Sequence, residues 1–208
     1  MDVTIVVATY GDTWWWDLGQ QRAVPSARAQ GVPVVAVHDP HTLHGARNAG
    51  LREVNRERVV FLDADDELEP GYIAALHAGT ADVRAPAVRY MRGGHGTPPR
   101  VPQVAGHRHS CVAECLTQGN WLVVGSMAPT QLLHDVGGWR DFAWSEDWDL
   151  WLRCHLKGAS FQAIPQAVYR AHVRPGSRNR RLRNEDRVAV HRAIETANGL
   201  GPGGVPCR

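Results

Sequence analysis

The segment FLDADDEL (61–68) places three carboxylates, Asp63, Asp65 and Asp66, within four positions at the end of an apolar run. If the run continues as a strand, alternation puts Asp63 and Asp65 on one side. Acids this close repel one another, and the arrangement becomes favourable when a hard divalent cation shares their oxygens. Mg²⁺ and Mn²⁺ are typically held by one or two carboxylates together with substrate phosphates, so the spacing fits a metal–diphosphate site. It fits equally a solvated acidic turn that caps a helix starting near Pro70.

A second acidic pair, Glu146 and Asp147, opens the segment SEDWDLWLR (145–153). The helix dipole favours acids in a first turn, so by itself the pair reads as a good helix start with Ser145 as N-cap. Trp148, Trp151 and Leu152 follow at i, i+3, i+4 spacing and predict a core-facing stripe. His107, His109, Cys111 and Cys115 match no common zinc-ligand spacing. His38, His41 and His44 read as polar loop residues beside the active edge. Trp14, Trp15 and Trp16 form an unusual run with two readings of equal weight. One is an aromatic face for a sugar or base; the other is half-buried packing of a loop against the first helix.

The elements that must position these residues alternate in type over the first third of the chain. Strands are expected at Val3–Ala8, Val32–Val37 and Val59–Leu62, as continuous apolar runs. Helices are expected over Asp17–Gln30, interrupted near Pro25 and closed by Gly31, and over Gly45–Arg56. That order predicts an α/β fold, a mostly parallel central sheet with helices on both faces. Beyond it the pattern gives a helix from Pro70 to Ala78, a strand over Val83–Tyr90 and a long loop over Gly93–His109, made basic by Arg92, Arg100 and Arg108. A short helix at Val112–Gln118, a strand at Trp121–Met127 and helices at Thr130–Val136 and Glu146–Lys157 follow. The last strand is expected at Phe161–Tyr169 and the last helix at Glu185–Asn198, with Gly199–Arg208 as a flexible tail. Ligands of an open parallel sheet bind beyond the carboxyl ends of its strands, which marks Thr9, Tyr10, Asp39 and Asp63 to Asp66.

The 208-residue chain is 43% hydrophobic and 21% charged with a net charge of +2, which suits one globular domain and excludes wholesale disorder. So balanced a charge leaves no nucleic-acid footprint. No apolar run reaches the roughly 18 residues a membrane-spanning helix needs, and the first residues lack the basic region of a signal peptide. Four cysteines, Cys111, Cys115, Cys154 and Cys207, are too few for a disulfide framework and fit a reduced compartment. The expectation is a soluble, cytoplasmic protein.

Six segments in order carry a resemblance to glycosyltransferase family 2, the large GT-A (Rossmann-like) group of nucleotide-sugar-dependent transferases. They are VTIVVATY, VVAVHDP, HGARNAGL, FLDADDELEPGYI, VGGWRDFAWSEDWDLWLR and YRAHVRPGS, spanning about residues 3 to 177. The resemblance implies a single GT-A domain over 3–198, with a nucleotide-binding half over about 3–92 and an acceptor-side half over about 110–180. It further implies that Thr9 and Tyr10 stand beside the nucleotide base, that Asp39 accepts a hydrogen bond from it, and that Arg47 and Asn48 line the nucleotide pocket. Asp63, Ala64 and Asp65 match the family's Asp-x-Asp motif. Asp65 is then the metal-binding acid, Asp66 its support, and His172 the late histidine that completes the metal site. Asp147 matches the general base, with Glu146 as its neighbour, and Gly137, Gly138 and Trp139 match the turn that borders donor sugar and acceptor.

The implied cofactor is Mn²⁺ or Mg²⁺, and the implied donor a nucleoside-diphosphate sugar, with UDP as the first expectation. The implied reaction moves one sugar to an acceptor hydroxyl in a single displacement with inversion. The chain departs from the family pattern in ATYGDTWWWD, where a proline and an asparagine are usual, and in His-Asp-Pro, where Asp-Asp-Gly-Ser is common. With no membrane segment after the domain, a compact transferase is expected rather than a processive polysaccharide synthase. A nucleotidyltransferase is the first alternative, but it calls for a Gly-rich basic phosphate loop near the first strand and leaves the Glu-Asp helix without a task. The second alternative, a non-catalytic sugar-nucleotide or glycan-binding module, sits poorly with the joint presence of Asp63, Asp65, Asp147 and His172. The acceptor class is open among a glycan, a lipid-linked sugar, a protein side chain and a small molecule. The Trp run leaves room for a homodimer surface.

Overall fold

In the computed structural model, which describes residues 1–104, 112–174 and 183–201, the apolar runs of the sequence become the inner strands of a sheet. In chain order the elements are β1 (Val3–Tyr10), α1 (Thr13–Gln21), α2 (Ala23–Arg28), β2 (Val34–Asp39), α3 (Leu43–Glu53), β3 (Arg58–Asp63), β4 (Glu67–Leu68), α4 (Tyr72–His77), β5 (Val83–Arg92) and β6 (His95–Gly96). A 3₁₀ turn at Ala113–Thr117, β7 (Ala128–Pro129), α5 (Thr130–Asp135), α6 (Glu146–Leu156), β8 (Phe161–His172) and α7 (Asn184–Ala197) complete it.

β1 lies between β2 and β3, parallel to both, and β7 adds an antiparallel edge to β3. A second set runs β4-β8-β5-β6, with β5 and β8 parallel. The two sets meet where Arg84 and Met127 exchange backbone hydrogen bonds of 2.9 and 3.0 Å. The result is a mixed α/β fold with a mostly parallel sheet flanked by helices, as the alternation of elements predicts. β1 is buried from Val3 to Ala8 because helices cover it. α3 crosses it so closely that a side chain at Gly50 would run into Val6. Trp148, Trp151 and Leu152 are fully buried, the core stripe their spacing predicts. Among the described residues no helix is long and apolar enough to cross a membrane.

Several boundaries differ from the sequence expectation. The first helix starts four residues early, because Asp12 accepts a hydrogen bond from the Trp14 N–H at 2.7 Å and caps it. It breaks at Arg22 (φ −121°, ψ −67°) rather than at Pro25, which sits in the first turn of α2 where a missing N–H is tolerated. The strand expected at Trp121–Met127 does not form. Leu122 N–H bonds back to Asn120 Oδ1 at 2.9 Å and Ser126 N–H to Val123 O at 3.0 Å, so the backbone is satisfied locally while Trp121, Leu122 and Val124 pack inward. The stretch expected as a helix at Val112–Gln118 is the 3₁₀ turn. The acidic turn continues into the unforeseen β4, which pairs antiparallel with β8. The long loop begins as a β5–β6 hairpin. His107, Arg108, His109 and Cys111, and the tail from 202 onward, lie outside the described residues.

Candidate active site

Parallel register brings Ala8 beside Asp63 and Tyr10 beside Asp39 at the carboxyl edge of the sheet. Thr9 is buried, and its hydroxyl is committed to β2, 3.2 Å from Val37 O and 2.9 Å from His38 Nδ1. Tyr10 is half-buried at the strand end. Asp39 Oδ1 accepts the backbone N–H groups of His41 (2.7 Å) and Thr42 (3.1 Å), which hold its carboxyl below the usual range.

The three acids after β3 take three different partners. Asp63 Oδ1 accepts from Arg47 Nη2 at 2.8 Å, and Asp65 Oδ2 accepts from Arg174 Nη2 at 2.8 Å. Asp66 is buried; its oxygens accept from the Tyr169 hydroxyl (2.8 Å) and the His172 backbone N–H (2.7 Å). The His172 ring turns instead to Glu67, with Nε2 2.7 Å from Oε2. Burial, then the charges of Asp65 and Asp63, push Asp66 well above the ordinary carboxylate range; burial and the Asp63 charge raise Asp65, with Arg174 opposing.

The implied set Asp65, Asp66 and His172 is therefore not gathered around one point. Among the described residues no group of three or more His, Cys, Asp and Glu side chains is arranged to hold a metal ion. The physical reason is that Asp66 and His172 are spent on fixing β4 and β8 to the turn. Asp63 and Asp65 remain hard oxygen donors; burial first and the Asp63 charge second raise Asp65, and a divalent cation between two such carboxylates relieves their repulsion.

Arg47, on α3 and 2% exposed, joins this edge to α6. Its Nη1 donates to Glu146 Oε1 at 2.9 Å, its Nη2 binds Asp63, and its guanidinium lies 4.2 Å from the centre of the Trp139 ring. Burial alone would depress its pKa; the charges of Asp63 and Glu146 outweigh burial and raise it. Asn48 does not present its amide to a nucleotide pocket. It exchanges two 2.8 Å bonds with the Trp139 backbone, and a Cβ on Gly138 (φ +68°) would fall 2.5 Å from its Oδ1, so that turn position takes only glycine. Arg153 holds the same turn by donating to the Val136 and Gly138 carbonyls while paired to buried Asp149.

α6 does start after Ser145, but not by hydroxyl capping. Ser145 is left-handed (φ 57°, ψ 29°) with no side-chain cap bond, and it is the single non-glycine residue with positive φ among the described residues. The next turn aims Asp147 at a cavity of about 470 Å³ bordered by Arg47, Asp63, Glu146, Trp144 and His191. Asp147 Oδ2 accepts from Asn120 Nδ2 at 3.0 Å, and Oδ1 from the Trp148 N–H at 2.9 Å. Burial first, then the Glu146 charge, push its pKa to about 7, against the pull of Arg47. A carboxylate poised there can take a proton at neutral pH.

Some site residues carry no signal in the sequence. Asn120 follows Gly119 just beyond the 3₁₀ turn, with no chemical motif around it. His191 comes from the last helix; its ring stacks on Trp144 (5.3 Å, 15°) and tilts against Trp148 (4.4 Å, 45°), and burial pushes its pKa down. Arg174 stands over the Trp run, with its guanidinium 4.6 Å from the Trp15 ring centre and 5.2 Å from that of Trp14.

Residues 1–189 match the family described as Glycosyltransferase like family 2. No curated protein sequence matches the chain. The crystal structure of S. aureus TarS 1–349 in complex with UDP-GlcNAc superposes with a TM-score of 0.65 at 18% identity, over 94% of this chain and 66% of that one. The same piece in complex with UDP gives 0.59 at 18% identity, over 94% and 65%. A further TarS crystal structure gives 0.63 at 19% identity, over 94% of this chain and 39% of that one. At this identity the likeness shows the fold, and the chain spans less than two thirds of each of those structures. The family match covers most of the sequence: the chain belongs to the glycosyltransferase 2-like family.

Proposed function

On the premise of that membership, we propose that the protein transfers one sugar from a nucleoside-diphosphate sugar to an acceptor hydroxyl with inversion, and that Asp147 is the general base. The observation that carries this reading is a carboxyl raised to about 7 on the wall of a cavity it shares with Asp63. The crystallisation of TarS with UDP-GlcNAc and with UDP supports a UDP-linked donor.

In this reaction the acceptor oxygen forms a bond to the anomeric carbon as the bond from that carbon to the diphosphate breaks, and the hydroxyl proton passes to Asp147. Asn120 and the Trp148 N–H orient the carboxylate, leaving its remaining lone pairs for the acceptor. Glu146 is committed to Arg47, which assigns the proton transfer to its neighbour. Negative charge grows on the leaving diphosphate, and a cation placed there stabilises the transition state more than the ground state. Asp65, with Asp63 beside it, is the pair that would hold Mn²⁺ or Mg²⁺, which supplies that stabilisation when bound. Asp66 and His172 shape the edge instead of ligating.

The test is a panel of nucleotide sugars assayed for hydrolysis with Mn²⁺ or Mg²⁺ and with EDTA, on wild type and Asp147→Asn. Slow release of one nucleoside diphosphate, reduced in the variant, is the expected outcome. Silence across the panel, with no nucleotide-induced shift in melting temperature, overturns the reading.

A further inference from the structure

The Trp run and Arg174 play no part in the reaction as written, yet they meet at its edge. Trp14 and Trp15 pack edge to face (5.1 Å, 77°), and the Arg174 guanidinium lies over both rings while its Nη2 holds Asp65. The chain leading to Arg174 is anchored: His172 N–H bonds to Asp66 and Val173 N–H to Met91 O at 2.9 Å. Arg174 is 29% exposed, so the guanidinium is open to an arriving ligand. An aromatic face orders a guanidinium without consuming its N–H donors, and its planar fork matches two phosphate oxygens.

We propose that Arg174, steadied by Trp14 and Trp15, binds the diphosphate of the donor, exchanging Asp65 Oδ2 for phosphate oxygens. This rests on the transferase reading. It follows from what stands nearest the acid cluster: with Asp66 and His172 committed elsewhere, a fixed guanidinium is already seated on the acid beside the leaving group. A divalent cation and Arg174 compete for Asp65, so loading the cation frees Arg174 for the diphosphate. The Trp run thus serves as a rest for a cation rather than as a platform for sugar or base. If Arg174 were only a surface ion pair to Asp65, its removal would cost little and would leave anion binding unchanged.

The test is calorimetric titration of UDP, GDP and inorganic pyrophosphate into the full chain, in EDTA and in Mn²⁺. Wild type should bind a nucleoside diphosphate in EDTA, and Arg174→Gln should weaken that binding about tenfold or more, in line with loss of charge-assisted hydrogen bonds. Arg174→Lys should recover part of it. Trp15→Leu should weaken it less than Arg174→Gln does, and Trp15→Phe, which keeps a ring, should stay near wild type. Without nucleotide, Arg174→Gln should bind Mn²⁺ more tightly than wild type, because Asp65 loses its competitor. Arg174→Gln that binds the probes as wild type does, in EDTA and in Mn²⁺, overturns the inference and leaves the transferase reading standing. Wild type that binds no probe under either condition overturns both.

Discussion

The turn after β3 and the first turn of α6 are built from the same residue type and reach opposite characters. After β3 every acid receives a donor of its own: Arg47 for Asp63, Arg174 for Asp65, Tyr169 and a backbone N–H for Asp66. At the first turn of α6 buried Arg47 goes to Glu146, and among the described residues Asp147 beside it accepts from neutral donors, Asn120 and the Trp148 N–H. A carboxylate whose neighbour takes the compensating charge stays close to neutral pH in its titration and available to a substrate. Asp63 and Asp65 take arginines that a metal ion would have to displace, whereas Asp66, also left with neutral donors, is closed in against β8 and serves the frame. Sharing of Arg47 between Asp63 and Glu146 makes the two turns one electrostatic unit.

The largest effect expected from breaking this contrast is at Arg47. Arg47→Met leaves Asp63 and Glu146 without their buried cation and should cost about 3–5 kcal/mol, read as a fall in the denaturant midpoint, with loss of transfer. Asp147→Asn should lower kcat by about 10²- to 10⁴-fold without lowering stability, as expected for a base that holds little else in place. A drop in melting temperature as large as that of Arg47→Met would mean that Asp147 belongs to the frame after all.

The pH dependence sharpens the same point. Transfer by wild type should rise with pH through about 7 as Asp147 loses its proton. Its folded pKa lies above the model-peptide value of 3.8, so between the two the folded state holds the proton that the unfolded chain has released. Stability from this group therefore falls as pH rises from about 4 to about 7, and the melting-temperature advantage of Asp147→Asn should open across that window and stay constant above it. A constant difference from pH 4 to 8 would break the assignment. The smallest effect belongs to the framing side: Tyr169→Phe should cost about 1–2 kcal/mol, measured by denaturant unfolding, because Asp66 loses one of its two donors.

What the sequence shows follows the same division. β1 and β3 are legible because continuous apolar runs have few alternatives, and Asp63 and Asp65 stand out as acids beyond a strand end; Asp147 sits in a first helical turn, where acids are common, and only the family resemblance singles it out. The stretch from Trp121 to Met127 reads as a strand but packs as a loop, since periodicity cannot distinguish burial beside a ladder from burial within one. The partners of Asp66 and His172 are hidden because they depend on β4, two residues long, and on its pairing with β8. Arg47 meets Glu146 across 99 residues of chain, a pairing that no local pattern encodes. His191 lies beyond residue 189, where the family match ends.

The parallel pairing of β5 with β8 has a consequence for how the protein is made. Val83 finds Phe161 only after the 3₁₀ turn, α5 and α6 have been synthesised between them. β1, β2 and β3 can assemble early from near neighbours in the chain, while β5 waits with an open edge for a strand that emerges much later. Closing that long crossover is entropically slow, and an unpaired edge invites other chains meanwhile. The same closure sets the Asp66 anchor and Arg174 into place, so that side of the site waits for β8 to emerge while the partners of Asp147 have already been made.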